Sequence, residues 1–133
     1  MTSVLVDTSV WVDYFRNVGN WRSDLTAELI RKDLVVTGDY VIHEVLRGVR
    51  SLSELHRVRD LLAVLPSAMM LGDLRAVRSA ARYRELRSKG ITVRKPNDAI
   101  IASYCIDERV PLLTSDRDFL PYAKHFDLRL LQR

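Results

Sequence analysis

The chain has 133 residues, 47% of them hydrophobic and 29% charged, with a formal net charge of +4. That size and mix suit a single folded domain over residues 1–133 and exclude a disordered chain. No apolar run approaches the roughly 20 residues that span a bilayer, and Asp7 interrupts the N-terminal one, so a soluble cytoplasmic protein without membrane contact is expected.

In chain order, Val4–Val6 is an apolar run of strand type, and a helix is expected to start near Val10. Leu25, Leu29 and Ile30 mark an amphipathic helix in "WRSDLTAELIRKD". Leu34–Thr37 reads as a second strand, Gly38-Asp39 as a turn, and "YVIHEVLRGVR" as the next helix. Ser53 is expected to cap a helix over "ELHRVRDLLAVL" that Pro66 stops. A long helix follows from Gly72 to Lys89, with Gly90 just past its end. Pro96-Asn97-Asp98 opens another helix, "AIIASYCIDE", in which Cys105 reads as a small core residue. Val110–Thr114 and Leu128–Leu131 read as the third and fourth strands. Strands alternating with helices imply a three-layer α/β/α sandwich around a small, mainly parallel sheet.

The charge is uneven. Between Asp73 and Lys95 eight basic residues face two acids, which suggests a polyanionic partner. Arg75, Arg78 and Arg82 fall on one helix face and are candidates for RNA phosphate contacts, against the plainer reading of a solvated face. Trp11, Tyr14 and Phe15 suit core or a partner interface better than base stacking, and His43, His56 and His125 are scattered.

Asp7 poses the sharper problem. It ends an apolar strand and is followed by Thr8, Ser9 and more apolar residues, and a buried unpaired carboxylate is costly. An arginine, backbone N–H groups or a metal ion must compensate it, and a metal is the expectation. Ligands of parallel sheets bind beyond the carboxyl ends of the strands. Asp7 and Asp116 lie there, Asp98 opens a helix, and Glu44 sits on the helix after the second strand. Converging carboxylates need a counter-cation, and an oxygen-only donor set suits Mg²⁺ or Mn²⁺. Such an ion activates water against a phosphodiester and neutralises charge on the phosphate. Ser9 and Thr114 would orient carboxylates by hydrogen bonds. Each acid also has a plain reading: Asp98 as a helix cap, Asp116 and Asp118 as turn formers, and Glu44 as a solvent-facing residue.

"VLVDTSVWVDYFR", "HEVLRG", "KPNDAIIAS" and "LLTSDRDF", at these spacings, resemble a PIN-domain ribonuclease, specifically the VapC toxins of bacterial toxin–antitoxin pairs. The resemblance spans essentially the whole chain. It implies catalytic and metal-binding roles for Asp7, Glu44, Asp98 and Asp116, with Asp118 as a supplement and Thr114 as the supporting hydroxyl. It further implies a Mg²⁺- or Mn²⁺-dependent endoribonuclease acting on structured RNA such as tRNA or ribosomal RNA, a cognate antitoxin, and a homodimer. Attack by water would leave a 3′-hydroxyl and a 5′-phosphate. Asp39 is a departure, adding charge near the site or capping its helix. The alternatives are a non-catalytic RNA- or partner-binding module, or a metal-dependent phosphatase or DNA nuclease. "HE" at His43–Glu44 is no zinc-protease motif, because Arg47 stands where the second histidine would be.

Overall fold

The computed structural model describes residues 2–133 as an α/β/α sandwich around a four-stranded, all-parallel sheet. The chain order is β1 (Val4–Val6), α1 (Thr8–Phe15), α2 (Trp21–Arg31), β2 (Val35–Gly38), α3 (Asp39–Arg47) and α4 (Leu52–Ala63). Then come β3 (Ser67–Ala68), α5 (Gly72–Ser88), α6 (Pro96–Glu108), β4 (Leu112–Leu113), a short 3₁₀ turn (Arg117–Phe119) and α7 (Leu120–Phe126).

In space the strands run β3-β2-β1-β4. Leu5 pairs with Val36 on one side and with Leu112 on the other, so β1 is central. All three of its residues are buried, as expected for a parallel strand covered on both faces. Helix α1 packs on α2 and α3, α3 on α4, and α5 on α6. Trp11 and Phe15 stack with ring centroids 5.5 Å apart inside the core, one of the two settings expected for them. Cys105 is buried in the same core, and burial pushes its thiol well up.

One expected strand is lost and an unexpected one replaces it. Leu128–Leu131 forms only an isolated bridge, Leu112 with Leu130, and is not the fourth strand. That strand is Ser67–Ala68, two residues that pair with Thr37 and Gly38 and carry no apolar alternation for sequence to reveal. Ser51, and not Ser53, caps α4, its hydroxyl accepting from the Glu54 amide at 3.1 Å. Asp39 proves structural, since its carboxylate accepts from the Met70 amide at 3.0 Å and ties α3 to the end of β3. Gly38 permits that approach: a Cβ there would lie 2.4 Å from the Met70 side chain.

The strand order reverses at β1. Chain excursions go first to β2 and β3, then return to the other side of β1 as β4, leaving a crevice beyond the carboxyl ends of β1 and β4.

Candidate metal centre

Asp7 stands at that crevice because it does two jobs at once. Its amide donates to the Leu113 carbonyl at 2.9 Å, continuing the β1–β4 ladder. Its side chain caps α1, with Oδ2 accepting from the Ser9 amide at 3.3 Å and the Ser9 hydroxyl at 2.7 Å. Thr114 donates to the same oxygen at 2.9 Å from just past β4. Among the described residues the compensation thus comes from hydroxyls and backbone N–H, with no arginine. Burial nevertheless wins, and the Asp7 carboxyl lies above its ordinary value despite these bonds.

Asp98 occupies the first turn of α6, which Pro96 starts. It does not cap the helix; Lys95 holds the N-cap position and no side chain caps it. The Asp98 side chain is buried, and its Oδ2 has no hydrogen-bond partner among the described residues. Burial first, then the negative charge of Asp7, pushes its carboxyl up to about 7, with Lys95 pulling the other way and Asp116 and Glu44 adding to the rise.

Glu44 comes from α3, which packs against both α1 and α6. Its Oε1 is shielded from solvent without a partner, as is the neighbouring Thr8 Oγ1. Burial and the Asp7 charge raise the Glu44 carboxyl against the pull of Arg47 and Lys95.

Asp116 behaves differently. Burial would raise it, but the Lys95 ammonium at 2.6 Å and the Asp118 amide at 2.9 Å outweigh burial and hold it below the usual carboxylate range. Carboxylate oxygens of Asp98, Asp116 and Asp118 lie within 4.8 Å of one another. Asp7 and Glu44 are set back from that trio, coupled to Asp98 through their charges.

The structure therefore brings Asp98, Asp116 and Asp118 together, with Asp7, held by Ser9 and Thr114, and Glu44 behind them and acting on Asp98 through their charges. The donors are all oxygen, several are buried without partners, and like charges raise one another's pKa. This donor set fits a hard divalent cation.

Lys95 is the participant that sequence reasoning passed over. Its only sign was position, three residues before Asp98 on the same helix face. The arginine trio lands elsewhere. Arg75 and Arg82 bond the part-buried Asp107 carboxylate at 3.1 and 2.6 Å, and Arg75 also bonds Glu108 at 2.7 Å. Their guanidiniums join α5 to α6, leaving only Arg78 half exposed. A cleft of about 350 Å³ also borders the acids, sharing Thr114 and Asp116 and lined by Trp21, Arg22 and Arg117.

A parallel α/β/α fold with carboxylates gathered at its switch point defines a domain with an acidic cluster suited to a cation, and the comparisons narrow the class. The PIN domain family matches residues 4–125, and the chain belongs to that family, on its VapC branch. It is 31% identical over 129 residues to VapC ribonuclease Mb1587 of Mycobacterium bovis, covering 95% of this chain and 96% of that one. Ribonuclease VapC11 of Mycobacterium tuberculosis matches at the same 31% and the same coverage. The fold is that of the VapBC2 complex of Rickettsia felis bound to a promoter DNA fragment, with a TM-score of 0.78, 17% identity and 98% of each chain covered. DNA-bound VapBC of Salmonella typhimurium gives a TM-score of 0.77 at 18% identity, again over 98% of each chain.

Proposed function

We propose that the chain is a metal-dependent endoribonuclease and the toxin of a toxin–antitoxin pair. The observation that carries this reading is the buried Asp98 Oδ2, which has no hydrogen-bond partner among the described residues and feels the negative charges of Asp7, Asp116 and Glu44. Ribonucleases by name among its relatives, and toxin–antitoxin complexes among its structural neighbours, support the reaction and the partner.

Asp7, Glu44, Asp98 and Asp116 would hold the cation, Mg²⁺ first and Mn²⁺ second, with Asp118 as a supplement. A divalent ion held there supplies a water of lowered pKa and neutralises charge developing on a phosphate. Ser9 and Thr114 fix the Asp7 carboxylate through the bonds to Oδ2, so that its geometry survives while substrate comes and goes. Hydrolysis by water, without the 2′-hydroxyl, leaves a 3′-hydroxyl and a 5′-phosphate. The substrate is a structured RNA of the tRNA or ribosomal class, and Arg78 with the arginines of the Trp21 cleft meets its phosphates.

The chain works as one PIN-like domain in the cytoplasm, as a homodimer that an antitoxin covers. Val64, Met69, Leu74 and Val77 are exposed apolar residues, which supports a protein partner. Among the described residues no helix is long and apolar enough to cross a membrane.

The test is purified protein with total cellular RNA, DNA and small phosphate esters, each with Mg²⁺, Mn²⁺ or EDTA, beside Asp7→Ala. Discrete RNA fragments that need metal and vanish in the variant are expected. Cleavage that persists in EDTA, or in Asp7→Ala, contradicts the assignment; cleavage of DNA or esters alone moves it to the alternative chemistry.

A further inference from the structure

The Lys95 ammonium lies 2.6 Å from Asp116 Oδ2 and 4.0 Å from Asp98 Oδ2. Among the described residues it is the one cation within 4.0 Å of the acid trio, bonded to Asp116 and at the edge of reach of Asp98. Its backbone is fixed: Lys95 is the N-cap residue of α6, and its carbonyl accepts from the Asp98 amide at 3.1 Å. Its side chain is about half exposed, so only the long alkyl stem and the ammonium have freedom to move. Asp116 has little choice of partner, because its other oxygen is taken by the Asp118 amide.

Resting on the metal-centre reading above, we propose that Lys95 is a built-in placeholder cation: it holds Asp116 while the centre is unloaded, yields that carboxylate on loading, and then contacts an RNA phosphate at the rim. A divalent ion on Asp116 Oδ2 competes with the ammonium for the same oxygen and repels it, so loading weakens the 2.6 Å pair and favours its opening. The freed ammonium remains tethered beside the reacting phosphate, where a lysine acts as a mobile point charge. The lysine therefore weakens metal binding and strengthens RNA binding. A surface lysine whose only job is to staple Asp116 would also weaken metal binding, but it would add nothing to RNA binding.

The test compares wild type, Lys95→Met and Lys95→Arg, with folding checked by circular dichroism. Calorimetry with Mn²⁺ alone should show Lys95→Met binding roughly five- to tenfold tighter than wild type, since a positive charge a few ångströms from the ion is gone. Lys95→Arg should stay near wild type. In EDTA the methionine variant should melt below wild type, and saturating Mn²⁺ should erase that gap. Binding of a short phosphorothioate oligouridylate to the Mn²⁺-loaded protein should lose about 0.7 from its salt slope in Lys95→Met, one phosphate contact, and the metal-free slope should not change. Equal or weaker Mn²⁺ binding by folded Lys95→Met overturns the proposal while leaving the metal centre standing. An unchanged slope in loaded protein removes the phosphate contact and overturns that half. A wild type that binds no Mn²⁺ sinks the metal-centre reading itself, and the placeholder with it.

Discussion

The Thr114 hydroxyl donates to Asp7 Oδ2 at 2.9 Å, joining the ends of β4 and β1 across 107 positions of sequence. The same oxygen of Thr114 accepts from the Asp116 amide at 3.0 Å. One hydroxyl thus sets the position of two acids, one through its carboxylate and one through its backbone. Thr114→Val keeps the shape and removes both bonds. It should cost about 2 kcal/mol in urea unfolding and weaken Mn²⁺ binding, whereas Thr114→Ser should restore most of both. Full metal affinity in the valine variant would show that the hydroxyl merely packs.

Asp98 is a buried charge repelled by Asp7, Asp116 and Glu44, and its replacement should separate stability from function. In EDTA near neutral pH, Asp98→Asn should be more stable than wild type, by about 1 kcal/mol or more, because the like-charge repulsion is gone. The same variant should bind no Mn²⁺ and cleave no RNA. A clear loss of stability in EDTA would mean that the charge is compensated in a way the fold does not reveal.

The pH dependence follows with a definite sign. The Asp98 carboxyl, at about 7 in the folded chain and near 3.8 unfolded, takes up a proton on folding between those values. Stability from this group is therefore lost as pH rises through 7, and the raised Asp7 and Glu44 act in the same direction. Metal-free protein should be about 1 kcal/mol more stable near pH 6 than near pH 8. Asp107 and Asp116, held low, contribute stability that disappears only as pH falls below their ordinary value of 3.8. Melting curves in EDTA across this range measure the effect; saturating Mn²⁺ should stabilise more at pH 8 than at pH 6.

The arginine face divides by partner. Asp107→Ala leaves Arg75 and Arg82 facing each other without the carboxylate that joins α5 to α6. Removing the shared carboxylate of this part-buried ion pair should cost about 1–3 kcal/mol, and thermal unfolding should show it. Arg78→Ala, half exposed and 3.8 Å from Asp107, should change stability little and reduce the salt slope of RNA binding.

Much of this was legible in the sequence, because the acids sit at positions that parallel-sheet topology makes special. Val4–Val6 followed by Asp7 announced a strand ending in a carboxylate, and the structure puts that carboxylate at the switch point. Pro96 marked the start of α6 and hence the place of Asp98. What stayed hidden depended on contacts between distant segments. Ser67–Ala68 becomes a strand only because Thr37 and Gly38 lie beside it. Arg75 and Arg82 shared a helix face as expected, but their partner lies on α6, 25 residues or more away. Helical spacing places a charge on a face and does not say what meets it. Lys95 was hidden for the same reason, since its carboxylate is 21 residues further on.

The central claim is that Asp7, Glu44, Asp98 and Asp116 converge on one divalent cation. The direct measurement is an anomalous difference map from crystals of the wild-type protein soaked in Mn²⁺. The account predicts a strong peak at the carboxyl ends of β1 and β4, coordinated by Asp98 and Asp116 with Asp7 or Glu44, and the Lys95 ammonium withdrawn from Asp116. A peak elsewhere on the molecule, or none at this site while RNA is still cleaved, would contradict it.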